Sequence, residues 1–312
     1  MGRKRRGQPI DGWLAVDKPV GMTSTAVVSR VRRVLDAAKV GHGGTLDPLA
    51  SGVLPIALGE ATKTVAYVMD GSKTYALTVR WGEERSTDDR EGEVTAISDL
   101  RPTRAQIEAA LPAFIGEIEQ VPPKFSAVKV EGRRAYDLAR RDEEVELKAR
   151  RILIRDFTLV AMPDADHAEF RVVSGKGAYM RSLARDLSRV LGTVGHVAAL
   201  RRTACGPFTE DNAISLDNLD PLGHSAASSD FLLPVATALD DIPALALTEV
   251  EAERLTHGQP IAVLPVVLRS SVQGVVAGIT VRAMCGERVV ALARIEGGEI
   301  RPVRVINSQS ER

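Results

Sequence analysis

Cysteine and aromatic residues are scarce in this chain of 312 residues, which has two cysteines and 4% aromatic side chains. Cys205 and Cys285 lie far apart and form no CxxC or mixed His/Cys pattern, so neither a zinc site nor a disulfide framework is supported. The sequence has no P-loop either, and we expect no metal and no cofactor. The cysteine usage is typical of a protein of the reducing cytoplasm.

Net charge and long hydrophobic runs are also lacking. Lysine plus arginine and aspartate plus glutamate both total 41, so the overall charge does not indicate a polyanionic partner. The apolar run from Ile261 to Leu268 is too short to cross a bilayer and contains Pro265. Because no apolar segment follows the basic N-terminus, we expect a soluble protein that is neither exported nor bound to a membrane.

Charge is nevertheless distributed unevenly. Nine basic and three acidic residues occur between Met1 and Val40, whereas acids cluster around Asp88, Asp89 and Glu91. We therefore expect a polarised surface, whose basic regions are candidates for nucleic-acid binding. The run from Arg3 to Arg6 fits both a solvated terminus and an RNA contact.

Helical and strand-like patterns are mixed along the chain without a regular βαβ repeat. The patterns predict helices from Thr23 or Ser24 to Ala38, from Ala61 to Met69, from the Thr103 and Gln106 capping box to Phe114, around Tyr136 and Leu138, and from Tyr179 to Leu191. They predict strands at Trp13 to Val16, Lys73 to Trp81, Phe125 to Val130, Ile152 to Met162, Glu169 to Ser174 and His196 to Arg201. The strand from Lys73 to Trp81 alternates, with Tyr75, Leu77, Val79 and Trp81 expected on one face. In the Tyr179 helix, Leu183, Leu187 and Val190 are expected to face the core. This order favours an α+β fold with a mixed, largely antiparallel sheet.

Composition changes towards the C-terminus. Residues Gly223 to Ser229 are small and polar, and a helix with a capping box at Thr248 to Glu251 follows. Strands are then expected to dominate as far as Ile306. We predict a large domain over residues 1–243 and a small β domain over residues 244–312.

The segment from Gly41 to Gly52 is the most informative part of the sequence, because it places Asp47 in a glycine-rich turn. Glycine permits positive φ and close approach by another chain, and Pro48 disfavours a helical conformation at the residue before it. An aspartate in such a turn either hydrogen-bonds to its own turn or presents a reactive carboxylate. The turn alone leaves both interpretations open.

The sequence from Gly41 to Lys63 resembles the nucleophile motif of the tRNA pseudouridine synthase B (TruB) family. That pattern, Gly-His-x-Gly-x-Leu-Asp-Pro-x-Ala-x-Gly followed by Leu-Gly-Glu-Ala-Thr-Lys, is filled at every fixed position. The resemblance implies a catalytic domain of the pseudouridine synthase type and the isomerisation of uridine 55 in the T-loop of tRNA, without metal or cofactor. It also implies that Asp47 is a nucleophile acting on a flipped-out base.

Further residues match active-site motifs of the family. Tyr75 matches a tyrosine that stacks on the base and takes part in proton transfer, although strand periodicity alone would make it a core residue. Arg181 ends a Gly-x-Tyr-x-Arg pattern and is expected beside Asp47, where otherwise it would be a solvent-facing helical arginine. Tyr179 is expected to help form the uridine pocket, and Leu200 to form an apolar wall against the base.

Five more residues are candidates for substrate or RNA binding. Lys18 belongs to a family motif that supports the active-site loop at the cleft, and it also fits a plain strand-to-helix turn. His42 either hydrogen-bonds to its own loop or enters the RNA and helps to displace the target base. Arg201, Arg202 and Lys129 are candidate ligands for the RNA backbone, with solvated surface residues as the alternative.

In the same resemblance the C-terminal residues correspond to a PUA-like β-barrel that binds RNA, with a purely structural β domain as the alternative. The expected partner is tRNA, bound through its T-loop and T-stem by a monomer without an obligatory protein partner. Other hypotheses are a non-catalytic RNA-binding or tRNA-folding protein and the catalytic subunit of a guide-RNA ribonucleoprotein. The lack of a second placed acid or a metal cluster disfavours an aspartate-dependent hydrolase of small molecules.

Overall fold

The computed structural model describes residues 7–126, 129–130, 133–134, 147–223, 230–270 and 276–308. Their strands are β1 Gly12–Lys18, β2 Val40–His42, β3 Ser51–Leu58, β4 Lys73–Trp81, β5 Glu83–Arg85, β6 Val94–Ile97, β7 Gly116–Gln120, β8 Lys129–Val130, β9 Arg133–Arg134, β10 Arg150–Ala161, β11 His167–Ser174, β12 Gly195–Cys205, β13 Phe208–Thr209, β14 Ala213–Ser215, β15 Ala244–Ala246, β16 Ile261–Ala262, β17 Thr280–Cys285, β18 Arg288–Glu296 and β19 Glu299–Val305. Their α-helices are α1 Ser24–Val34, α2 Val65–Asp70, α3 Arg104–Ala110, α4 Met180–Val190, α5 Leu216–Leu219, α6 Glu249–Thr256 and α7 Val263–Arg269. Short turns of 3₁₀-helix lie at Gly59–Lys63, Leu111–Phe114, Glu210–Asn212, Asp220–Leu222 and Val235–Leu239.

A ten-stranded mixed sheet forms the larger part of the molecule. Its main strand order is β14-β1-β3-β12-β4-β11-β10-β7, with β2 beside β3 and β13 beside β12. The β1/β14 and β3/β12 pairs are parallel, and the other pairs of this sheet are antiparallel. This architecture confirms the predicted α+β class with a mixed, largely antiparallel sheet.

Strand β4 lies at the centre of this sheet and brings three candidate residues together. It alternates as predicted, because Leu77, Val79 and Trp81 are buried on one face. On β12, its antiparallel neighbour, Leu200 pairs with Leu77 and Arg202 pairs with Tyr75. The register therefore places Tyr75, Leu200 and Arg202 within one small area of the sheet.

Helix α4 packs on this sheet and carries Arg181. The helix is amphipathic, with Leu183 and Leu187 buried as expected, whereas Val190 in its last turn is 62% exposed instead of facing the core. Tyr179 is the N-cap residue, and its backbone is held by both ends of the Gln120 amide, at 2.8 and 3.1 Å. The start of α4 is thereby tied to the end of β7.

Several predicted elements differ from the observed ones in type or length. The helix predicted from Ala61 to Met69 is divided into a 3₁₀ turn and the short α2. The apolar run around Pro265 was expected among strands but is mostly α7, because proline is tolerated in the first turn of a helix, where its missing N–H is not needed. The predicted strand over Phe125 to Val130 is observed only at β8, and the predicted helix carrying Tyr136 and Leu138 lies outside the described residues.

A second sheet of five strands, in the order β15-β17-β18-β19-β16, forms the C-terminal part. The predicted capping box at Thr248 and Glu251 is present at the start of α6. This sheet packs against the larger one, since Val289 and Leu292 share an apolar cluster with Trp13 of β1. A C-terminal β-sheet is therefore present, in contact with the ten-stranded sheet.

No α-helix in the described ranges combines the length and the apolar character that a bilayer crossing requires.

Candidate active site

A cleft of about 740 Å³ opens where the Asp47 loop faces the start of α4. Its walls come from distant parts of the chain: the loop Gly44–Pro48, the turn carrying Thr87, Asp89 and Glu91, the segment Gly175–Arg181, and the side chains Tyr75, Phe125, Leu200 and Arg202. Strands β4 and β12 form the floor of the cleft, and the Asp47 loop and the start of α4 form its sides. Among the predicted site residues, Asp47, Tyr75, Tyr179, Arg181, Leu200 and Arg202 line it.

The loop that carries Asp47 is held rigidly by its neighbours. The hydroxyl of the buried Ser24 donates to Leu46 O at 3.0 Å and accepts from Leu46 N at 2.9 Å. A Cβ atom at Gly43 would lie 2.7 Å from a methyl group of Val68, so the loop needs glycine at that position. The side chain of Asp47 remains 35% exposed at its tip. The sequence thus folds into a rigid turn that presents one carboxylate to the cleft.

Lys18 lies behind this loop and does not line the cleft. It is fully buried, and its ammonium donates to Pro19 O, Met22 O and Pro48 O at 2.8, 2.6 and 3.3 Å. Burial lowers the pKa of Lys18 to about 8, although the nearby Asp47 acts in the opposite direction. Lys18 therefore ties the turn after β1 to the backbone beside Asp47.

Arg181 is the cation beside Asp47. Its Nε atom lies 2.9 Å from Asp47 Oδ2, and its side chain is only 6% exposed. The Nη1 and Nη2 groups donate to Thr87 O at 3.1 Å and to Phe125 O at 2.9 Å. The Nε–H group does not point along the short contact, so the two side chains form an ion pair without an aligned hydrogen bond. The backbone contacts hold the guanidinium in place, and the guanidinium in turn orients the carboxylate.

A second carboxylate, which belongs to the acidic cluster noted in the sequence, completes this group. Asp89 Oδ2 lies 3.7 Å from Arg181 Nε, and the Asp89 side chain is 5% exposed. The other oxygen, Oδ1, accepts from Thr87 Oγ1 at 2.5 Å and from Glu91 N at 3.0 Å. Arg181 thus lies between Asp47, which faces the cleft, and Asp89, which is buried. The sequence showed a concentration of acids around Asp89 but did not indicate which of them lies beside Arg181.

Two tyrosines and a leucine form the less polar part of the cleft. Burial raises the pKa of Tyr75, with the Arg202 guanidinium beside its hydroxyl acting in the opposite direction, and burial also raises the pKa of Tyr179. Both phenols are therefore protonated near neutral pH. Leu200 is 7% exposed and adds an apolar surface beside Tyr75. These three side chains make a pocket suited to a flat, partly polar ring.

The two arginines expected at the RNA backbone lie in different environments. Arg202 is 1% exposed and donates from Nε to Val53 O at 2.8 Å and from Nη2 to Gly44 O at 3.1 Å, so it braces the Asp47 loop from below. Arg201 is partly exposed outside the cleft and forms a two-pronged ion pair with Asp17, with both distances 3.0 Å. Neither is the free surface residue expected of a phosphate ligand. Because alternate residues of β12 face opposite sides of the sheet, Arg201 meets Asp17 on one side and Arg202 meets the carbonyls of Val53 and Gly44 on the other. Lys129 lies in β8, whose side chains are outside the described part of the structure.

His42 ends β2 and does not line the cleft. Its Nδ1 atom accepts from Gly44 N at 3.3 Å, which requires the tautomer that is unprotonated at Nδ1. Burial lowers the pKa of His42 and favours the neutral ring. Of the two alternatives left open by the sequence, the structure contains the hydrogen bond within the loop.

Among the described residues, no group of three or more His, Cys, Asp or Glu side chains is arranged to hold a metal ion.

Two family models match consecutive parts of the chain. The model for the TruB family pseudouridylate synthase N-terminal domain matches residues 32–180, and the model for the tRNA pseudouridylate synthase B C-terminal domain matches residues 181–240. Apart from β1, the ten-stranded sheet lies within the matched region, as does α4. The five-stranded C-terminal sheet begins after it.

Curated relatives and solved structures agree with these matches. A tRNA pseudouridine synthase B of Rhodospirillum rubrum is 65% identical over 98% of this chain and 100% of the relative, and one of Caulobacter vibrioides is 55% identical over 98% and 99%. A solved Cbf5-Nop10-Gar1 complex contains a similar chain, with a TM-score of 0.73 and 27% identity over 95% of this chain and 84% of that one. A chain in an H/ACA RNP bound to a substrate RNA containing 2′-deoxyuridine shares the fold, with a TM-score of 0.74 and 23% identity over 99% and 92%. The chain therefore belongs to the TruB family of pseudouridylate synthases.

Proposed function

We propose that this protein converts uridine 55 in the T-loop of tRNA to pseudouridine, with Asp47 as the nucleophile. The observation that carries the proposal is the Asp47 carboxylate at the wall of the cleft, 2.9 Å from the buried Arg181 and facing the same space as Tyr75. The curated relatives are named tRNA pseudouridine synthase B, which supports tRNA as the substrate. The choice of position 55 rests on the resemblance of the Asp47 motif to the family pattern.

The proposed reaction rearranges one nucleoside without a net change in composition. The bond between uracil N1 and ribose C1′ breaks, the base turns, and a bond forms between C5 and C1′. A proton leaves C5 and N1 takes up a proton, so no oxidant or reductant is required. A carboxylate positioned at the reacting nucleoside supplies the nucleophile, and Arg181 keeps it oriented through the successive steps.

The walls of the cleft fit a base that has left its stack. An enzyme that acts on a base within folded RNA must extrude it and compensate for the lost stacking. Tyr75 provides an aromatic surface, Tyr179 a second phenol, and Leu200 an apolar wall, which together suit a uracil ring. Burial raises the pKa of Tyr75 and keeps its phenol protonated near neutral pH, and we propose that the ring stacks on the base and that the hydroxyl takes part in proton transfer.

Residues around the loop are proposed to act through Asp47. Lys18 and Arg202 donate to backbone carbonyls on either side of Asp47 and fix the position of its loop at the cleft. His42 remains our proposed contact for the displaced RNA, released from its bond to Gly44 when RNA binds. Arg201 and Lys129 remain proposed backbone contacts from the sequence pattern alone.

The C-terminal sheet is proposed to be a PUA-like RNA-binding domain over residues 244–312, next to a catalytic domain over residues 1–243. Arg294, Arg301 and Arg304 lie on its strands and are proposed to contact the phosphate backbone, although Arg294 lies 3.8 Å from Glu296 and Arg301 lies 2.7 Å from Glu299. We propose that the protein acts as a monomer in the cytoplasm and needs no protein partner. Activity of the purified chain on tRNA without guide RNA would distinguish it from a subunit of a guide-RNA ribonucleoprotein.

The test compares pseudouridine in a T-loop transcript after incubation with wild-type protein, Asp47→Asn and Asp217→Asn. Asp217 is a matched control, because its side chain is 93% exposed and does not line the cleft. We expect pseudouridine with wild type and Asp217→Asn and none with Asp47→Asn. If wild type leaves the uridine unchanged while binding the transcript, the protein is an RNA-binding or tRNA-folding protein. If Asp47→Asn remains active, the nucleophile has been misassigned.

A further inference from the structure

Helix α4 carries two arginines one turn apart, Arg181 and Arg185, which make parallel sets of contacts. Two segments lie against this face of the helix: the acidic turn, residues 87–92, and the proline segment, residues 121–126. Each arginine contacts one aspartate of the acidic turn and one carbonyl of the proline segment. Arg181 belongs to the active site, whereas Arg185 lies behind it.

The contacts of Arg185 are close and largely shielded from water. Its Nη1 atom lies 2.9 Å from Asp88 Oδ2, and both side chains are 11% exposed. Its Nη2 group donates to Val121 O at 2.9 Å, and its Nε group to Asp186 Oδ1 at 2.9 Å. Burial raises the pKa of Asp88 against the opposing effect of Arg185. A buried ion pair of this kind contributes little net stability to the fold. Its effect is therefore sought in the positions of the acidic turn and the proline segment.

The backbone of the acidic turn is adapted to these contacts. Asp88 has a φ of +59°, in the left-handed region that residues with a side chain rarely adopt. In an extended chain Asp88 and Asp89 would point to opposite sides, but here both carboxylates face α4. Val197 N donates to Asp88 O at 3.0 Å and Arg90 N donates to Val197 O at 3.1 Å, so the turn is also anchored to β12.

We propose that Asp88 and Arg185 are positioning residues for the catalytic pair of Asp47 and Arg181. Their ion pair fixes the acidic turn, and the turn presents the Asp89 carboxylate and the Thr87 carbonyl to Arg181. Arg181, held in this way, fixes Asp47. This inference rests on the proposed function, because its effect is on the rate of pseudouridine formation.

The proline segment provides a second connection between Arg185 and the active site. Val121 O accepts from Arg185 and also from Ser182 Oγ at 2.8 Å, while Phe125 O accepts from Arg181. Phe125 also lines the cleft. Loss of Arg185 therefore loosens both segments that support the Arg181 guanidinium, whereas loss of Asp88 loosens only the acidic turn.

A matched control lies one turn further along the helix. Arg189 lies 2.8 Å from Glu84, and its side chain is 60% exposed. This ion pair joins α4 to β5, and in the described part of the chain Arg189 makes no hydrogen bond or ion pair with the acidic turn or the proline segment, although its charge acts on Asp88 less strongly than those of Arg185 and Arg181. A substitution at Arg189 removes a helix-to-strand ion pair of similar length without the proposed positioning effect.

The test uses the full chain in four versions: Asp88→Asn, Arg185→Met, the double variant and Arg189→Met. The single-turnover rate at saturating T-loop RNA and the dissociation constant for that RNA are measured separately. We expect the rate to fall about 10- to 100-fold in Asp88→Asn and Arg185→Met, because small displacements of a catalytic group reduce rates by such factors. The dissociation constant of these variants should change less than about twofold. The rate of the double variant should lie within about twofold of the rate of Arg185→Met, and Arg189→Met should react at the wild-type rate.

Several outcomes would overturn the positioning role. The first is a wild-type rate in both Asp88→Asn and Arg185→Met, and the second is an equal loss of rate in Arg189→Met. The third is a double variant in which the two losses of rate add, and the fourth is a rise in the dissociation constant that accounts for the slower reaction. If Arg185→Met does not fold, as judged by urea unfolding, Arg185→Lys replaces it, because lysine keeps the charge but cannot span Asp88 and Val121 O together. A wild-type rate in Arg185→Lys then counts against the inference, and a reduced rate with unchanged RNA binding supports it. A wild-type protein that forms no pseudouridine refutes the proposed function instead.

Discussion

The guanidinium of Arg181 lies 2.9 Å from the Asp47 carboxylate, although one residue belongs to an early loop and the other to a late helix. Two backbone carbonyls and the buried Asp89 surround the same guanidinium. Because the cation is fixed by groups other than Asp47, it constrains the carboxylate instead of following it. The proposed nucleophile lies on a loop but is thereby held in place by contacts that involve a helix and other segments.

Replacement of Arg181 by Met should separate catalysis from binding. The variant keeps the size of the side chain but removes the cation beside Asp47, so we expect the single-turnover rate to fall by about 100-fold or more. Binding of T-loop RNA should change little, because Arg181 is only 6% exposed. Rapid quench assays and filter binding measure the two quantities. A comparable loss in both would contradict the role of Arg181 as the partner of Asp47.

Asp89→Asn tests the second carboxylate. Asparagine can still accept the hydrogen bonds from Thr87 and Glu91 N through its oxygen, but it no longer balances the charge of Arg181. We expect the single-turnover rate to fall about 10-fold as Arg181 and Asp47 shift together. The exposed Glu93, replaced by Gln, serves as the control. An Asp89→Asn variant as fast as this control would show that Asp89 only fills space.

The stability contributed by Lys18 should depend on pH above neutrality. Its pKa is about 8 in the folded protein against 10.5 for an unperturbed lysine, so the unfolded chain binds more protons between these values. The free energy of unfolding of wild type relative to Lys18→Met should therefore rise with pH between 8 and 10.5, by at most about 1.4 kcal/mol per pH unit, and stay level below pH 8. Urea unfolding of both proteins between pH 7 and 10 measures this difference. A constant difference would show that burial does not lower the pKa of Lys18.

Gly52→Ala should destabilise the protein far more than a glycine substitution in open space. Gly52 has a φ of +98°, and a Cβ atom there would lie 2.2 Å from the backbone oxygen of Arg202. Gly192 has a φ of +74° but nothing within 4 Å, so Gly192→Ala carries only the backbone penalty of about 1 to 2 kcal/mol. We expect Gly52→Ala to exceed this control by about 2 kcal/mol or more in the free energy of unfolding, as overpacking against backbone requires. Equal values would mean that β3 and β12 can separate without cost.

Structure prediction from the sequence is correct where local chemistry dictates structure. The alternation of β4 and the capping boxes at Thr103 and Thr248 were predicted from a few adjacent residues and are observed. Each depends on contacts within one strand or one turn, which residue type and spacing determine. It was less successful at Pro265, where an apolar run without clear periodicity fits helix and strand alike.

The candidate site divides in the same way. The glycine-rich turn alone left an ordinary turn aspartate and a presented carboxylate open at Asp47, and the motif resemblance favoured the second. The same resemblance indicated Arg181, which the structure places beside Asp47. The importance of Asp89 and the pairing of Asp88 with Arg185 could not be predicted, because they depend on how an acidic turn meets a helix that lies far away in the sequence. Arg202 resembled a surface residue until the register of β12 placed it beneath the loop.

The sequence by itself determined the α+β class, the position of Asp47 in a glycine-rich turn and membership of the family, since local spacing and a contiguous motif carry that information. Only the tertiary structure decided which charges are neighbours. Ion pairs such as that of Arg181 with Asp47 form between segments brought together by sheet register and helix packing, and a side chain's role depends on its burial and partners. Lys18 illustrates the difference: its position in a motif was visible in the sequence, but its three carbonyl partners and its lowered pKa exist only in the folded chain.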